Sequence, residues 1–243
     1  QLRLYRPVQT VQEFQKTLLQ ELNFSRELRN MQKFQQSFAK EPGVRFPTPF
    51  PQLSSRRVLT MERFNGISFS DKDVLLRTGL DLNELAVRGA NLFLTMVFRD
   101  GFYHADPHPG NLMVLPGPKV GETDATSAAI GVLDCGMVGR VDERLREELE
   151  QLLIAAVHQD AERIAEGVIR IGQIPPTFDP AALSEALREM LDEYSNQSLR
   201  DFDLSGCLNE TIEIIRRFQI HLPAKVAMLL KVLIMLEGTA HQL

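Results

Sequence analysis

The apolar positions of this chain change their period along its length. Val11, Phe14, Leu18, Leu19, Leu22 and Phe24 recur at helical spacing, which predicts one long helix over roughly 9–38. Pro42 to Pro51 interrupts it and reads as a Pro-rich turn-and-strand region. Arg57 to Met61 reads as a strand. Helical spacing returns with Leu82, Leu85, Ala86, Ala90, Phe93, Met96 and Val97, a core helix that Arg99-Asp100-Gly101 ends, with Gly101 placed for a left-handed cap. Leu112 to Leu115 and Ile130 to Leu133 are short apolar runs separated by a Pro/Gly/Thr/Ser stretch, which predicts a hairpin. Leu145, Leu149, Leu152, Leu153 and Ala156 then mark one face of a helix over 142–158, and Ala161 to Ile171 continues the pattern. Pro175-Pro176 breaks it, and three further helices are expected near 180–194, 206–218 and 223–241. There is no internal repeat and no low-complexity segment.

The polar residues at the two ends of that hairpin change the picture from architecture to chemistry. His104-Ala105-Asp106-Pro107-His108-Pro109-Gly110-Asn111 enters it, and Asp134-Cys135-Gly136 leaves it. Phosphoryl transfer from ATP uses a carboxylate to orient or deprotonate the acceptor, and an Asn and an Asp to hold Mg²⁺ against the phosphates. Mg²⁺ is a hard cation, usually bound through one or two carboxylates plus phosphate oxygens, so the residue types suit the ion. A hairpin would bring Asn111 and Asp134 together although they are far apart in sequence. Asp106 is the expected catalytic carboxylate, and Asn111 and Asp134 are the expected metal ligands. His104 reads as structural, bonding backbone near Asp134, rather than as a base. His108 suits either a phosphate or acceptor contact or a compact polar turn.

Composition bounds the remainder. The chain has 243 residues, 44% of them hydrophobic, enough for one substantial core or one domain with a small appendage. A net charge of −5 argues against a nucleic-acid binder, which usually carries a basic stripe. Two cysteines, Cys135 and Cys207, are too few for a disulfide framework and point to a reducing compartment. No signal peptide is evident. The most apolar stretch, Val226 to Leu236, is broken by Lys231 and is too short to span a bilayer.

The residues also carry a resemblance. His104 to Asn111 with Asp134-Cys135-Gly136, the block Glu21-Leu22-Asn23-Phe24-Ser25-Arg26-Glu27 upstream, and Val58 to Glu62 between them resemble the UbiB/AarF (ADCK-like) family of atypical protein kinases. The likeness runs from about Val8 to the C-terminal end, in family order. The H-x-D-x-x-x-x-N and D-x-G patterns alone would fit aminoglycoside phosphotransferases or choline kinases equally well, and the Glu21–Glu27 block separates them.

The resemblance implies an α+β, mostly α, protein-kinase-like fold. Residues 1–64 would be a partial N-lobe with a pairing helix and hinge strand, and 65–243 a helical C-lobe carrying the catalytic and metal-binding loops. It implies ATP and Mg²⁺ as cofactors and a link to isoprenoid-quinone (ubiquinone) lipid biosynthesis. Glu27 matches the family Glu that pairs with a nucleotide-positioning Lys. Glu21 matches a second family acid, but Asn23 stands where the family usually has Asp, which removes a charge from a metal-linked pair. Cys135 replaces the aromatic residue whose packing commonly sets the state of this loop, and it reads as a small buried hydrophobe. Met61, Glu62 and Phe64 occupy the hinge, where the Glu62 carbonyl and the Phe64 N–H would read adenine. Partners implied are nucleotide and isoprenoid lipid or quinone-biosynthesis proteins, with no nucleic acid. The expected location is cytoplasmic, or membrane-associated on the cytoplasmic side through segments outside this chain.

A complete kinase fold would precede the pairing helix with a phosphate-covering loop and a strand bearing that Lys. Neither motif occurs upstream here; Lys16 and Lys33 fall within the helical stretch as solvated face residues. The expectation is a piece of a longer protein, inactive alone and with apolar surface uncovered around Phe14, Leu18 and Leu22. Two other functional classes fit the same motifs: a small-molecule phosphotransferase, and a non-catalytic nucleotide-binding regulator.

Overall fold

The computed structural model describes residues 23–115, 128–195 and 203–242. They form two compact units, one of residues up to 92 and 106–138, the other of 93–105 and 139–242. The fold is α+β and mostly helical.

The first unit opens with helix α1, Phe24–Ser37. Asn23 precedes it with non-helical backbone, φ −117° and ψ 80°, so the predicted run over 9–38 is not one continuous helix. Glu21, Lys16 and the apolar positions from Val11 to Leu22 lie outside the described residues. Met31 and Phe34 are the buried stripe of α1, and Phe34 stacks on Phe46 with centroids 5.0 Å apart and planes at 5°. The sheet of this unit comprises β1 Val44–Arg45, β2 Ile67–Ser68, β4 Leu112–Leu115 and β5 Ala129–Val132, in the spatial order β1-β5-β4-β2. The predicted hairpin is present as β4 and β5, antiparallel with Leu112 opposite Val132 and Leu115 opposite Ala129. The short β1 pairs parallel with β5, Val44 beside Ile130. Buried on both faces, β5 reads as an unbroken apolar run rather than an alternation.

The strand expected over Arg57–Met61 does not form. Only an isolated antiparallel bridge, Pro49 to Met61, joins this segment to the Pro-rich stretch. Phe50 N–H donates to the Thr60 carbonyl and Glu62 N–H to the Thr48 carbonyl, but the return bonds are taken by side chains. Thr48 N–H goes to Glu62 Oε2 at 3.2 Å and Thr60 N–H to Ser54 Oγ at 2.9 Å. With those donors diverted, the ladder cannot lengthen. Helices α2, Lys72–Arg77, and α3, Leu82–Leu94, complete the run before the site. Leu85 is buried on α3 as expected, whereas Ala90 is exposed.

In the second unit, a wider π-type turn, Thr95–Arg99, ends that helical run, and Gly101 follows at φ +56°, the left-handed position its sequence predicted. Strand β3, Phe102–His104, pairs with β6, Val138–Arg140. Five helices follow: α4 Glu143–Val157, α5 Ala161–Ile171, α6 Pro180–Ser195, α7 Leu204–Arg217 and α8 Ala224–Gln242. Their starts agree with the sequence because Asp142, Asp160 and Asp203 cap α4, α5 and α7 through side-chain oxygens.

The buried face of α4 is shifted from the predicted one. Leu145 and Ala155 are buried and Leu152 packs against the core, while Leu153 is 53% exposed and Ala156 lies outside. Apolar residues are spread widely around α4, so the sequence alone does not choose the face. Gly167 on α5 makes room on that side, since a Cβ there would sit 2.5 Å from the end of the Leu152 side chain. No helix among the described residues is long and apolar enough to cross a membrane.

Candidate functional site

Asp106, Asn111 and Asp134 all belong to the first unit, and sheet register brings two of them side by side. Leu112 faces Val132, so Asn111 falls opposite Leu133, and Leu133 N–H donates to the Asn111 carbonyl at 2.9 Å. Asp134 is the next residue. The hairpin therefore places the Asn of its entry beside the Asp of its exit.

The loop before β4 is held by its own polar groups. Pro109–Asn111 form one turn of 3-10 helix, with Pro109 supplying a preset φ and His108 capping. His108 Nδ1 accepts from Gly110 N–H at 3.0 Å, which leaves Nε2 as the protonated nitrogen; it lies 3.8 Å from Asp106 Oδ2. His108 is thus both the turn residue and a neighbour of the carboxylate. Asn111 is buried, and its Nδ2 donates to the Asp106 backbone carbonyl at 3.1 Å. That bond orients the amide. Asp106 is half-buried and Asp134 exposed, with Asp134 Oδ1 accepting from Gly136 N–H at 2.7 Å. His104 is buried at the end of β3.

These are oxygen donors, two of them carboxylates, which suits Mg²⁺ rather than a soft metal. No group of three or more His, Cys, Asp or Glu that could hold a metal occurs among the described residues. A two-ligand site completed by phosphate oxygens is consistent with that. One further oxygen is conspicuous: Asn23 Oδ1 is buried and has no hydrogen-bond partner among the described residues. Glu27 sits in the first turn of α1, half-buried, where the positive end of the helix favours a carboxylate.

Cys135 is fully buried, as the small-hydrophobe reading requires. Burial pushes its thiol well above the ordinary range, and the charges of Glu27 and Asp134 push it the same way. Asn30, which sequence reasoning missed, donates from Nδ2 to the Cys135 carbonyl at 2.8 Å. Its signal was present only as a polar residue one turn after Glu27.

The hinge residues are placed by side-chain contacts the sequence did not announce. Glu62 accepts from Arg45 at 2.8 Å and from Thr48 Oγ1 at 3.1 Å. Phe64 is a core residue, packed with Leu115 and Ala129, and Arg45 lies over its ring at 5.1 Å. Gly131 of β5 makes room for that ring, since a Cβ there would lie 2.9 Å from it. Phe64 thus looks inward, whereas the Glu62 contacts lie at the surface and Met61 is exposed. Among the described residues no hydrogen bond uses the Glu62 carbonyl or the Phe64 N–H, the two groups expected to face a base.

Comparison with known proteins follows the same lines. Residues 2–168 match the family described as "ABC1 atypical kinase-like domain", and 187–243 match "UbiB helical domain". "Probable protein kinase UbiB" of Photobacterium profundum is 34% identical over 242 residues, covering 99% of this chain and 43% of that protein. The protein of the same name from Histophilus somni is 32% identical over 238 residues, covering 98% and 43%. This chain therefore spans less than half the length of these relatives. Among solved structures, Rv3197 of Mycobacterium tuberculosis, in its complex with erythromycin, superposes with a TM-score of 0.62 at 20% identity, covering 96% of this chain and 57% of that one. That likeness shows the fold.

Proposed function

This chain belongs to the UbiB/AarF family of atypical kinases, as an ABC1 kinase-like domain with a UbiB helical domain, and from that premise we propose that it forms the metal-binding and catalytic side of an ATP site. The observation that carries the proposal is the register of β4 with β5, which sets Asn111 beside Asp134.

In this reading Asn111 and Asp134 hold Mg²⁺, and the ion, when bound, neutralises phosphate charge. Asp106 orients or accepts the proton of the attacking group. Glu62 and Phe64 offer a carbonyl and an N–H to adenine, while their side chains fix the backbone that carries them. Glu27 has the place of the family Glu that pairs with a nucleotide-positioning Lys. Most of the rate would come from positioning and charge neutralisation rather than from covalent chemistry. The acceptor is a protein, a small molecule or water. The link to isoprenoid-quinone biosynthesis, with lipid or quinone-pathway proteins as partners, and a cytoplasmic or cytoplasmic-face membrane location both belong to this proposal. Non-catalytic nucleotide binding is the rival that the same geometry serves.

Asp134→Asn tests the proposal. The substituted side chain can still accept from Gly136 N–H, so the loop stays formed while the charge is lost. In the protein of full family length, MgATP affinity should fall at least about tenfold, worth ~1.4 kcal/mol, with the melting temperature of the free protein unchanged. A thermal-shift titration in which the mutant responds like the wild type would defeat the assignment.

A further inference from the structure

The bond between α1 and the loop after Asp134 has a consequence for how the two halves of the site are kept in step. Asn30 lies one turn beyond Glu27 on α1, and its amide reaches the Cys135 carbonyl across 105 residues of sequence. The contact is part-buried, at 2.8 Å. Cys135 is held at its other end too, because its side chain is wholly buried. The residue that follows the metal carboxylate is thus gripped by the helix through its backbone and by the core through its sulfur. A cysteine is smaller than the aromatic residue usual here and offers less surface to lock the loop, so a backbone tether gains importance.

We propose that Asn30 is a positioning residue: its hydrogen bond to the Cys135 carbonyl couples the helix bearing Glu27 to the loop bearing Asp134. When α1 is seated, the loop is set and Asp134 is poised; when α1 shifts, the carbonyl is released and the carboxylate loses its fixed place. The metal-ligand role of Asp134 is taken from the proposed function, whereas the latch itself rests on the hydrogen bond alone.

Thiol accessibility reads the latch without any turnover. In a Cys207→Ser background of the 243-residue chain, Cys135 is the only thiol, and its alkylation by iodoacetamide requires the loop to open. Asn30→Leu, similar in size but without a donor, should speed that reaction roughly threefold to tenfold, the range one part-buried hydrogen bond contributes. Alkylation of Cys207 on α7, measured in a Cys135→Ser background, should not change. Unaltered Cys135 alkylation, or an equal rise at both thiols, would overturn the proposal, the second because it reports general loosening. Should Asn30→Leu fail to fold, Asn30→Asp removes the donor at constant size and is held to the same comparison. MgADP added to the full-length wild type should slow Cys135 alkylation. Loss of that protection while the Asn30 effect persists would remove the nucleotide reading and leave the latch standing.

Discussion

Asp106 contributes to the site twice, through its carboxylate beside His108 and through its backbone carbonyl, which orients Asn111. The two roles separate on mutation. Asp106→Asn leaves the carbonyl in place, so Asn111 keeps its orientation and MgATP should bind with unchanged affinity. Turnover should fall by roughly 10²–10⁴, the usual contribution of a proton-transferring group. Equal phosphate release by mutant and wild type, at equal affinity, would show that Asp106 is not the key carboxylate. Tyr103 makes a different residue-scale prediction. It is fully buried, meets Phe93 edge-on at 5.8 Å, and burial pushes its phenol up to about 12. A phenol with a raised folded-state pKa holds its proton more tightly when folded. Its stabilisation is therefore complete below the ordinary value of about 10 and is lost as pH rises towards 12. Urea unfolding should show wild type losing roughly 2–3 kcal/mol more than Tyr103→Phe across that interval. Parallel pH curves for the two proteins would mean the phenol is reached by solvent.

At the scale of elements, helix starts were legible and helix faces were not. Apolar spacing placed the starts of α4, α5 and α7 to within a couple of residues, and Asp142, Asp160 and Asp203 fix them in the structure, because an N-cap is a local event decided by one side chain and the N–H groups just after it. Asp160→Ala should cost about 1 kcal/mol, a drop in melting temperature of roughly 2–4 °C, since Asp160 Oδ1 accepts from Arg163 N–H at 3.0 Å. A calorimetric shift too small to resolve would show that solvent replaces the cap. The α4 face, by contrast, depends on what packs against it, such as Leu152 beside Gly167 of α5, which no periodicity within α4 reveals. The segment 57–61 failed as a strand for a related reason, because Ser54 and Glu62 took its partners' bonds with side chains. The β4–β5 hairpin was readable since turn residues and apolar runs are themselves local. With it came the Asn111–Asp134 juxtaposition. Arg45, Thr48 and Asn30 stayed hidden, as their partners are assigned only after folding.

At the scale of the whole molecule, the 243-residue chain covers 43% of the curated relatives it matches. Alone it should show no kinase or ATPase activity above background. Phosphate release by the purified chain that disappears in Asp106→Asn would overturn this, and would mean that the metal side of the site suffices.

The Asn30–Cys135 bond also sets a clock. A ribosome adds roughly 5–20 residues each second, so Asn30 emerges about 5–20 s before the carbonyl it will hold. β1 waits similarly for β5, as Val44 must meet Ile130. Through that interval α1 and the apolar ring pair Phe34–Phe46 exist without the sheet that later adjoins them. The order of synthesis thus makes the loop after β5 the last piece of its unit to be fastened.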